Sequence, residues 1–161
     1  MLCFLLINKK QIYIKTPTTP QIATAIAKDG TTIKYINNPS MDLIHAAIKN
    51  NPEAIKYINQ TQELVNLAVK NNPKAIEFVL PEFITKELCT IAVQERPYLI
   101  RHVPEHMQTE ELCLIAVQHK YCFLELVKFK TLEICLTAVK NNKENIFHVP
   151  DDFLEPCSAL L

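Results

Sequence analysis

The stretch TEELCLIAVQ (109–118) decides the fold, because the chain contains two near-copies of it, TKELCTIAVQ (85–94) and TLEICLTAVK (131–140). The alanine of the Ala-Val or Ala-Ile pair recurs upstream as well. Its positions are Ala25, Ala47, Ala68, Ala92, Ala116 and Ala138, with spacings of 22, 21, 24, 24 and 22 residues. Because a regular period indicates stacked supersecondary units, the sequence predicts six repeats.

Each repeat begins with the start signal of an α-helix. A serine or threonine lies seven residues before the alanine, and in five of the six repeats an acidic residue follows two positions later. The hydroxyl residues are Thr18, Ser40, Thr61, Thr85, Thr109 and Thr131. Such a side chain accepts a hydrogen bond from an otherwise unpaired backbone N–H, and the carboxylate interacts favourably with the helix dipole. Apolar residues with helical spacing follow, for example Leu64, Val65, Ala68 and Val69.

A second, shorter helix is predicted after each first one. The first helix ends in a polar triplet such as Lys49-Asn50-Asn51, and in three repeats a proline follows, as at Pro52. Asparagine is a good cap, and proline is tolerated at the first helical position. Neither helix is stable alone, since isolated helices below roughly 12–15 residues are marginal in water. The sequence therefore predicts an all-α fold, a short α-solenoid of about six helical hairpins with a period of about 23 residues.

The two ends of the chain lie outside the repeat. In the N-terminal cap, residues 1–15, polar and apolar residues alternate over 11–15, which predicts either a small β-hairpin or a capping helix. Residues 16–153 are the predicted helical-repeat domain. Residues 154–161 are a predicted C-terminal cap resembling part of a further repeat, because terminal units of solenoids are expected to be atypical.

Composition restricts the classes of function. The 17 basic residues balance 17 acidic ones, which disfavours binding to nucleic acid or anionic membranes. The single glycine argues against an all-β fold and against glycine-rich phosphate loops. No apolar run approaches the about 18 residues of a membrane span, and no export signal is recognised. The protein is therefore expected inside the cell with its six cysteines reduced.

Three cysteines recur at one position of the repeat. That position holds Ile22, Ile44, Val65, Cys89, Cys113 and Cys135. Cysteine here replaces an aliphatic side chain, and helices about 8–10 Å apart are too distant for a disulfide or a zinc–thiolate site. These thiols are predicted to be buried packing residues. Cys122 lies at a mostly polar position near His119, so it is expected to be accessible, but no third catalytic group accompanies this pair.

The histidines and carboxylates form no recognisable site. His102 and His106 have the spacing of a zinc-binding pair, but Pro104 is expected to end the helix between them. One position of the repeat holds Tyr35, Tyr57, Phe78, His102 and His148, which favours a packing role for both histidines. Each acidic residue has a helix-capping explanation. We expect no catalytic residues, no metal site and no cofactor.

Polar residues recur where each first helix ends. The position two residues after the alanine holds Ala27 in the first repeat and Lys49, Lys70, Gln94, Gln118 and Lys140 in the others. The next two positions add Asn50, Asn51, Asn71, Asn72, Arg96, His119, Lys120, Asn141 and Asn142. Turns favour asparagine, so these residues are either solvated turn residues or a recognition edge along the stack.

The recurring pattern T-x-E-L-C-x-x-A-V-x-x-N, followed by P-x-A-I-x-x-V-P, resembles the short helical repeat of a domain-of-unknown-function family. That family is abundant in giant DNA viruses and some protists. The resemblance covers roughly residues 18–153 and is most specific over 85–118; Tyr121 and Lys143 depart from it, where proline is usual. The resemblance implies no activity and no site residue.

The function favoured by the sequence is a non-enzymatic scaffold for protein–protein interaction. Its predicted partner-binding residues are Lys49, Lys70, Gln94, Gln118 and Lys140. The alternative is a helical-repeat RNA-binding protein with one polar position per repeat, against which balanced charge and few surface aromatic residues argue. The protein is expected in the cytoplasm of the cell or of an infected host, or associated with a virion.

Overall fold

The computed structural model describes residues 3–7, 10–14, 19–120 and 124–161. Over these residues the chain is mostly helical, as the repeat pattern predicts. The chain divides into two compact units, unit 1 (Met1–Phe83) and unit 2 (Ile84–Leu161).

Unit 1 contains an antiparallel β-hairpin followed by three pairs of helices. The hairpin strands are β1 (Cys3–Ile7) and β2 (Lys10–Ile14). The α-helices are α1 (Thr19–Lys28), α2 (Met41–Asn50) and α3 (Gln62–Asn71). The 3₁₀ helices are η1 (Gly30–Tyr35), η2 (Pro52–Tyr57), η3 (Pro73–Phe78) and η4 (Pro81–Phe83). Of the two alternatives for the N-terminal segment, the chain adopts the β-hairpin.

Unit 2 continues the same alternation. Its α-helices are α4 (Lys86–Glu95), α5 (Glu110–Val117), α6 (Leu132–Asn141) and α7 (Asp151–Ser158). Its 3₁₀ helices are η5 (Pro97–His102), η6 (Glu105–Met107), η7 (Leu124–Leu126) and η8 (Lys143–His148). The predicted cap 154–161 is thus largely the second half of α7.

The second helix of each repeat is a 3₁₀ helix. The predicted asparagine caps explain where three of these six helices begin. Asn51, Asn72 and Asn142 each accept a hydrogen bond from the backbone N–H two residues later, at 3.0 to 3.1 Å. Six residues between such a cap and the next linker allow two 3₁₀ turns, the short form in which this helix type is common. The repeat pattern predicts a short helix here without specifying its type.

The hydroxyl caps of the α-helices are confirmed in four repeats and wrong in one. Ser40, Thr61, Thr85 and Thr109 each accept a hydrogen bond from the N–H three residues later, at 3.5, 3.4, 3.3 and 3.2 Å. Thr131 precedes α6 but makes no such bond. Its Oγ1 is buried without a hydrogen-bond partner among the described residues. Thr18 lies outside the described residues.

The alanine that defines the repeat lies where consecutive α-helices meet. All six of these alanines are at most 2% exposed. Within unit 1, α2 packs against both α1 and α3; within unit 2, α5 packs against both α4 and α6. A small side chain at this position lets adjacent helix backbones approach closely, and the larger apolar residues on either side of it fill the core.

Gly30 marks a second close approach in unit 1. It occupies the position that Pro52 and Pro73 hold in the next two repeats. Its N–H donates to Asn50 Oδ1 at 2.7 Å, a bond that proline cannot make. A Cβ at this position would collide with the Ala47 carbonyl oxygen. The contact between η1 and the last turn of α2 therefore requires glycine.

The two kinds of threonine cap predict opposite responses to one substitution. Thr61→Val should lower the free energy of unfolding by roughly 1 kcal/mol, because the Leu64 N–H loses its side-chain acceptor. Thr131→Val should leave stability unchanged or increase it, since the buried Oγ1 has no hydrogen bond to a described residue to lose. Urea unfolding of both variants measures the difference, and equal losses would contradict this account of the caps.

Candidate functional site

The five predicted partner-binding residues lie at the C-terminal ends of α-helices. Lys49 and Lys70 are in the last turns of α2 and α3, and both side chains are exposed. Gln94 and Lys140 are exposed in the last turns of α4 and α6, and exposed Gln118 directly follows α5. We call these five residues the helix-end row. Within each unit they occur at the same end of neighbouring helices.

Three asparagines next to this row connect consecutive repeats. Asn50, Asn71 and Asn141 each donate from Nδ2 to carbonyl oxygens at the end of the preceding α-helix, at 2.8 to 3.1 Å. The acceptors are Ala27 for the first, Ile48 and Lys49 for the second, and Val117 for the third. The last carbonyls of an α-helix lack partners within the helix, so this asparagine bridge satisfies them.

The bridge changes the interpretation of the predicted recognition edge. Its asparagines are Asn50, Asn51, Asn71, Asn72, Asn141 and Asn142, and each of their side chains either forms a bridge or caps a 3₁₀ helix. These residues therefore have structural roles. The lysines and glutamines of the helix-end row are the part of the edge that remains a candidate for binding.

Glutamine side chains join the linkers that follow the 3₁₀ helices. Gln60 donates from Nε2 to the Phe78 carbonyl at 2.8 Å, and its Oε1 accepts from the Leu80 N–H at 2.9 Å. Gln108 Oε1 accepts from the Lys128 N–H at 2.9 Å in unit 2. Both glutamines directly precede a capping threonine. We call this arrangement the linker clamp.

A groove of about 810 Å³ lies in unit 1 where the clamp is missing. Pro39 occupies the position that corresponds to Gln60 one repeat earlier. The groove is lined by residues 36–39 and 57–59, with Met41, Ile44, Thr61 and Leu64. We call it the linker groove. Its lining is apolar and amide-bearing, with no charged side chain among these described residues.

Lysines and aromatic rings alternate along the 3₁₀ helices of unit 1. Lys34 Nζ lies 4.9 Å from the centre of the Tyr35 ring and 5.5 Å from that of Tyr57. Lys56 Nζ lies 5.6 Å from the Tyr57 ring and 5.5 Å from the Phe78 ring. A hydrogen bond with the Tyr35 side chain raises the pKa of Lys34. We call these five residues the lysine–aromatic row.

The expectation of few surface aromatic residues is incorrect for this part of the chain. Tyr35 and Tyr57 are 36% and 37% exposed, because a 3₁₀ helix places the residue ten positions after the alanine at the rim of the core. Outside this row, Phe147 in η8 is 85% exposed. In unit 2, two of the corresponding positions hold Glu125 and His148, with His148 Nε2 at 3.9 Å from Glu125 Oε2. The signal in the sequence that could have revealed this row is the lysine directly before Tyr35 and directly before Tyr57.

The cysteines predicted to be packing residues are buried. Cys89, Cys113 and Cys135 are 0% exposed, as is Cys157 in α7. Burial raises the pKa of Cys89 and of Cys135 to about 11, and it raises the pKa of Cys113 as well. These thiols are therefore protonated near neutral pH and poor nucleophiles. The packing prediction is confirmed for these three cysteines, and Cys122 lies outside the described residues.

His102 and His148, the two histidines predicted to be packing residues, are both half-buried. His102 ends η5 and is half-buried, whereas His106 belongs to η6, so the two do not share a helix face. His45 lines a separate cavity of about 300 Å³ with Lys49, Glu63 and Leu67. In the described part of the chain, no group of three or more His, Cys, Asp or Glu is placed to hold a metal ion. None of the described helices is long and apolar enough to span a bilayer.

Comparison with known proteins shows that one segment of the chain is similar to a protein family. Residues 40–84 match the family described as "Domain of unknown function (DUF4116)". The matched segment runs from the Ser40 cap to the beginning of unit 2 and contains both the Asn71 bridge and the Gln60 clamp. No curated protein and no solved structure matches the chain. The resemblance seen in the sequence is thus supported over α2, α3 and the 3₁₀ helices that follow them.

The buried cysteines should resist modification in the native protein. At neutral pH, an aromatic disulfide reagent should label Cys89, Cys113 and Cys135 only as fast as the protein unfolds, because burial blocks access and the raised pKa suppresses the thiolate. Mass-spectrometric mapping of labelled peptides over time measures this, and Cys122 is predicted to react first. Rapid native labelling of any of the three would contradict the packing assignment.

Cys113→Val should lower the free energy of unfolding by less than about 1.5 kcal/mol, since Val65 fills the equivalent position.

Proposed function

We propose that the protein is a non-enzymatic helical-repeat scaffold, a short α-solenoid, that binds another protein through the helix-end row. The observation that carries this proposal is the register of the row. The same position is exposed at the same end of α2 and α3 in unit 1, and at or directly after the same end of α4, α5 and α6 in unit 2. An extended partner that follows consecutive helix ends would contact several of these side chains at once.

The asparagine bridge involves the backbone of a helix-end residue but not its side chain. Asn71 bonds the backbone carbonyl of Lys49, while the Lys49 side chain is exposed. The side chain of Lys49 can therefore change without loss of the bridge. Differences in charge at this position, such as that between Lys70 and Gln94, then determine which partner is recognised, while the backbone arrangement stays the same.

We also infer where the protein acts. The pattern resembles a family abundant in giant DNA viruses, and this supports a giant-virus origin and a role in the cytoplasm of the infected host or in the virion. Binding to a viral or host protein is the function that fits both this origin and the repeated surface.

Charge reversal on the helix-end row tests the proposal. Lys49→Glu combined with Lys70→Glu should weaken partner binding roughly tenfold, equivalent to about 1.4 kcal/mol, because both changes oppose the partner's complementary charge. The partner is first identified by cross-linking in the native host and then purified for calorimetric titration. The melting temperature should stay within a few degrees of the wild type, since both side chains are exposed.

The matched control is Lys74→Glu combined with Lys86→Glu. These lysines are also exposed, but they lie in η3 and in the first turn of α4 and do not belong to the helix-end row. The control carries the same change in net charge and should bind the partner normally. Equal weakening in both double variants would show that net charge matters and the row does not. No weakening in either would remove the row from the binding surface.

The lysine–aromatic row favours a second candidate function, binding of single-stranded RNA. Lys34 and Lys56 supply positive charge beside the partly exposed rings of Tyr35 and Tyr57. Bases stack on such rings, and phosphates pair with the lysines. The one-ring-per-repeat spacing would match one nucleotide to each 3₁₀ helix.

Salt dependence separates the two candidates. If RNA is the ligand, a fluorescent oligouridine should bind more weakly as salt increases, and Lys34→Ala combined with Lys56→Ala should reduce both the affinity and the salt slope. Fluorescence anisotropy at several salt concentrations measures both quantities. Lys49→Ala combined with Lys70→Ala removes two lysines outside the row and is the matched control. Oligouridine binding that is absent or insensitive to salt would eliminate this candidate.

A further inference from the structure

We propose that the linker groove of unit 1 binds a glutamine side chain presented by an extended segment of the partner protein. This inference rests on the proposed protein-binding function and specifies the chemistry of the partner. The protein itself contains an example of the interaction, because Gln60 fills the corresponding space one repeat later.

The linker clamp defines what the space accepts. The Gln60 amide lies between two linkers, where Nε2 donates to the Phe78 carbonyl at 2.8 Å and Oε1 accepts from the Leu80 N–H at 2.9 Å. A primary carboxamide supplies one donor and one acceptor side by side, and no other common side chain except asparagine does so. Gln108 repeats half of this arrangement in unit 2, because its Oε1 accepts from the Lys128 N–H at 2.9 Å while its Nε2 donates to the Ile100 and Val103 carbonyls of its own repeat at 3.3 Å.

Two residues that line the groove correspond in the repeat to the two whose backbone groups bond Gln60. The Tyr57 carbonyl corresponds to that of Phe78, and the Asn59 N–H corresponds to that of Leu80. Neither group makes a hydrogen bond to any residue that the structure describes. Pro39 occupies the position from which a glutamine would reach them, and its ring has no polar atom. The residues that line the groove therefore include the counterparts of the clamp's acceptor and donor, without a counterpart of its amide.

The lining of the groove selects a neutral ligand. Ile36, Met41 and Ile44 provide apolar contacts for the methylene groups of a glutamine, and no described charged side chain lines the groove. A carboxylate or an ammonium group would lose hydration there without gaining an ion pair. The volume of about 810 Å³ exceeds one side chain, so the groove also has room for the backbone on either side. Asn38 and Asn59 at the groove offer side-chain amides to that backbone.

Nuclear magnetic resonance with short peptides tests the proposal. The probes are acetylated, amidated pentapeptides with glutamine, glutamate or methionine between two pairs of alanines, together with free glutamine. We expect the glutamine peptide to shift the backbone amide resonance of Asn59 saturably, with at least tenfold weaker effects from the glutamate and methionine peptides. Free glutamine should bind more weakly than the peptide, because it lacks the flanking backbone. A glutamate or methionine peptide that binds equally well would overturn the proposal, as would the absence of any shift at millimolar concentrations.

A glutamine in place of Pro39 would supply the amide of the clamp from within the chain. Pro39→Gln should abolish peptide binding and raise the melting temperature, because the new amide bonds Tyr57 and Asn59 itself. Pro39→Ala is the matched control, since it removes the same ring, leaves the groove open and should bind the peptide normally. Undiminished peptide binding to a folded Pro39→Gln variant would overturn the proposal. If the purified partner binds this variant as tightly as the wild type, the groove is not its site, although the proposed protein-binding function stands.

Discussion

The length of the α-helices is the constraint on which the rest of the structure depends. No described α-helix exceeds 10 residues, which is below the length at which an isolated helix is stable in water. Within each unit, the α-helices are stabilised by burying their apolar stripes against neighbouring repeats, and the buried alanine at the centre of each repeat permits that contact. A fold built in this way is a series of interfaces between neighbours, and its stability resides in them.

Packing brings polar backbone groups together at these interfaces, and two amide side chains satisfy them. The asparagine bridge bonds carbonyls at the end of the preceding α-helix, and the linker clamp bonds the linker that follows the next 3₁₀ helix. Both connect residues about one repeat apart, so the interface between the second and third repeats is held at two places in addition to its core. The amides of asparagine and glutamine form these hydrogen bonds, and the lysine and glutamine side chains of the helix-end row are exposed at the surface.

The predictions from sequence succeeded where the physical cause is local. Helix caps, the apolar stripe and the burial of Cys89 follow from neighbours within one turn, and these predictions hold except at Thr131. The roles of Asn71 and Gln60 were not predicted, since their partners lie 18 to 23 residues away and depend on how two repeats pack. For the same reason, the repeated asparagines appeared to be turn residues or a binding edge. The linker groove was also not predicted, because the lack of an amide at Pro39 can be recognised only once the hydrogen bonds of Gln60 are known.

At some positions one repeat has a residue that differs from those in the other repeats, and the contacts of that residue show whether it has a structural role. Asn145 replaces the alanine of Ala54 and Ala75, yet it is 1% exposed and its amide bonds the Ala138 carbonyl at 3.0 Å and the Leu124 N–H at 2.7 Å. Gly30 replaces proline and gains a hydrogen bond to Asn50. Both departures are compensated within the protein. At Pro39 the amide of the clamp is lost, and no described residue takes over its two backbone partners. The lack of internal compensation distinguishes Pro39 from Gly30 and Asn145, and this asymmetry is the observation behind the glutamine site proposed for the linker groove.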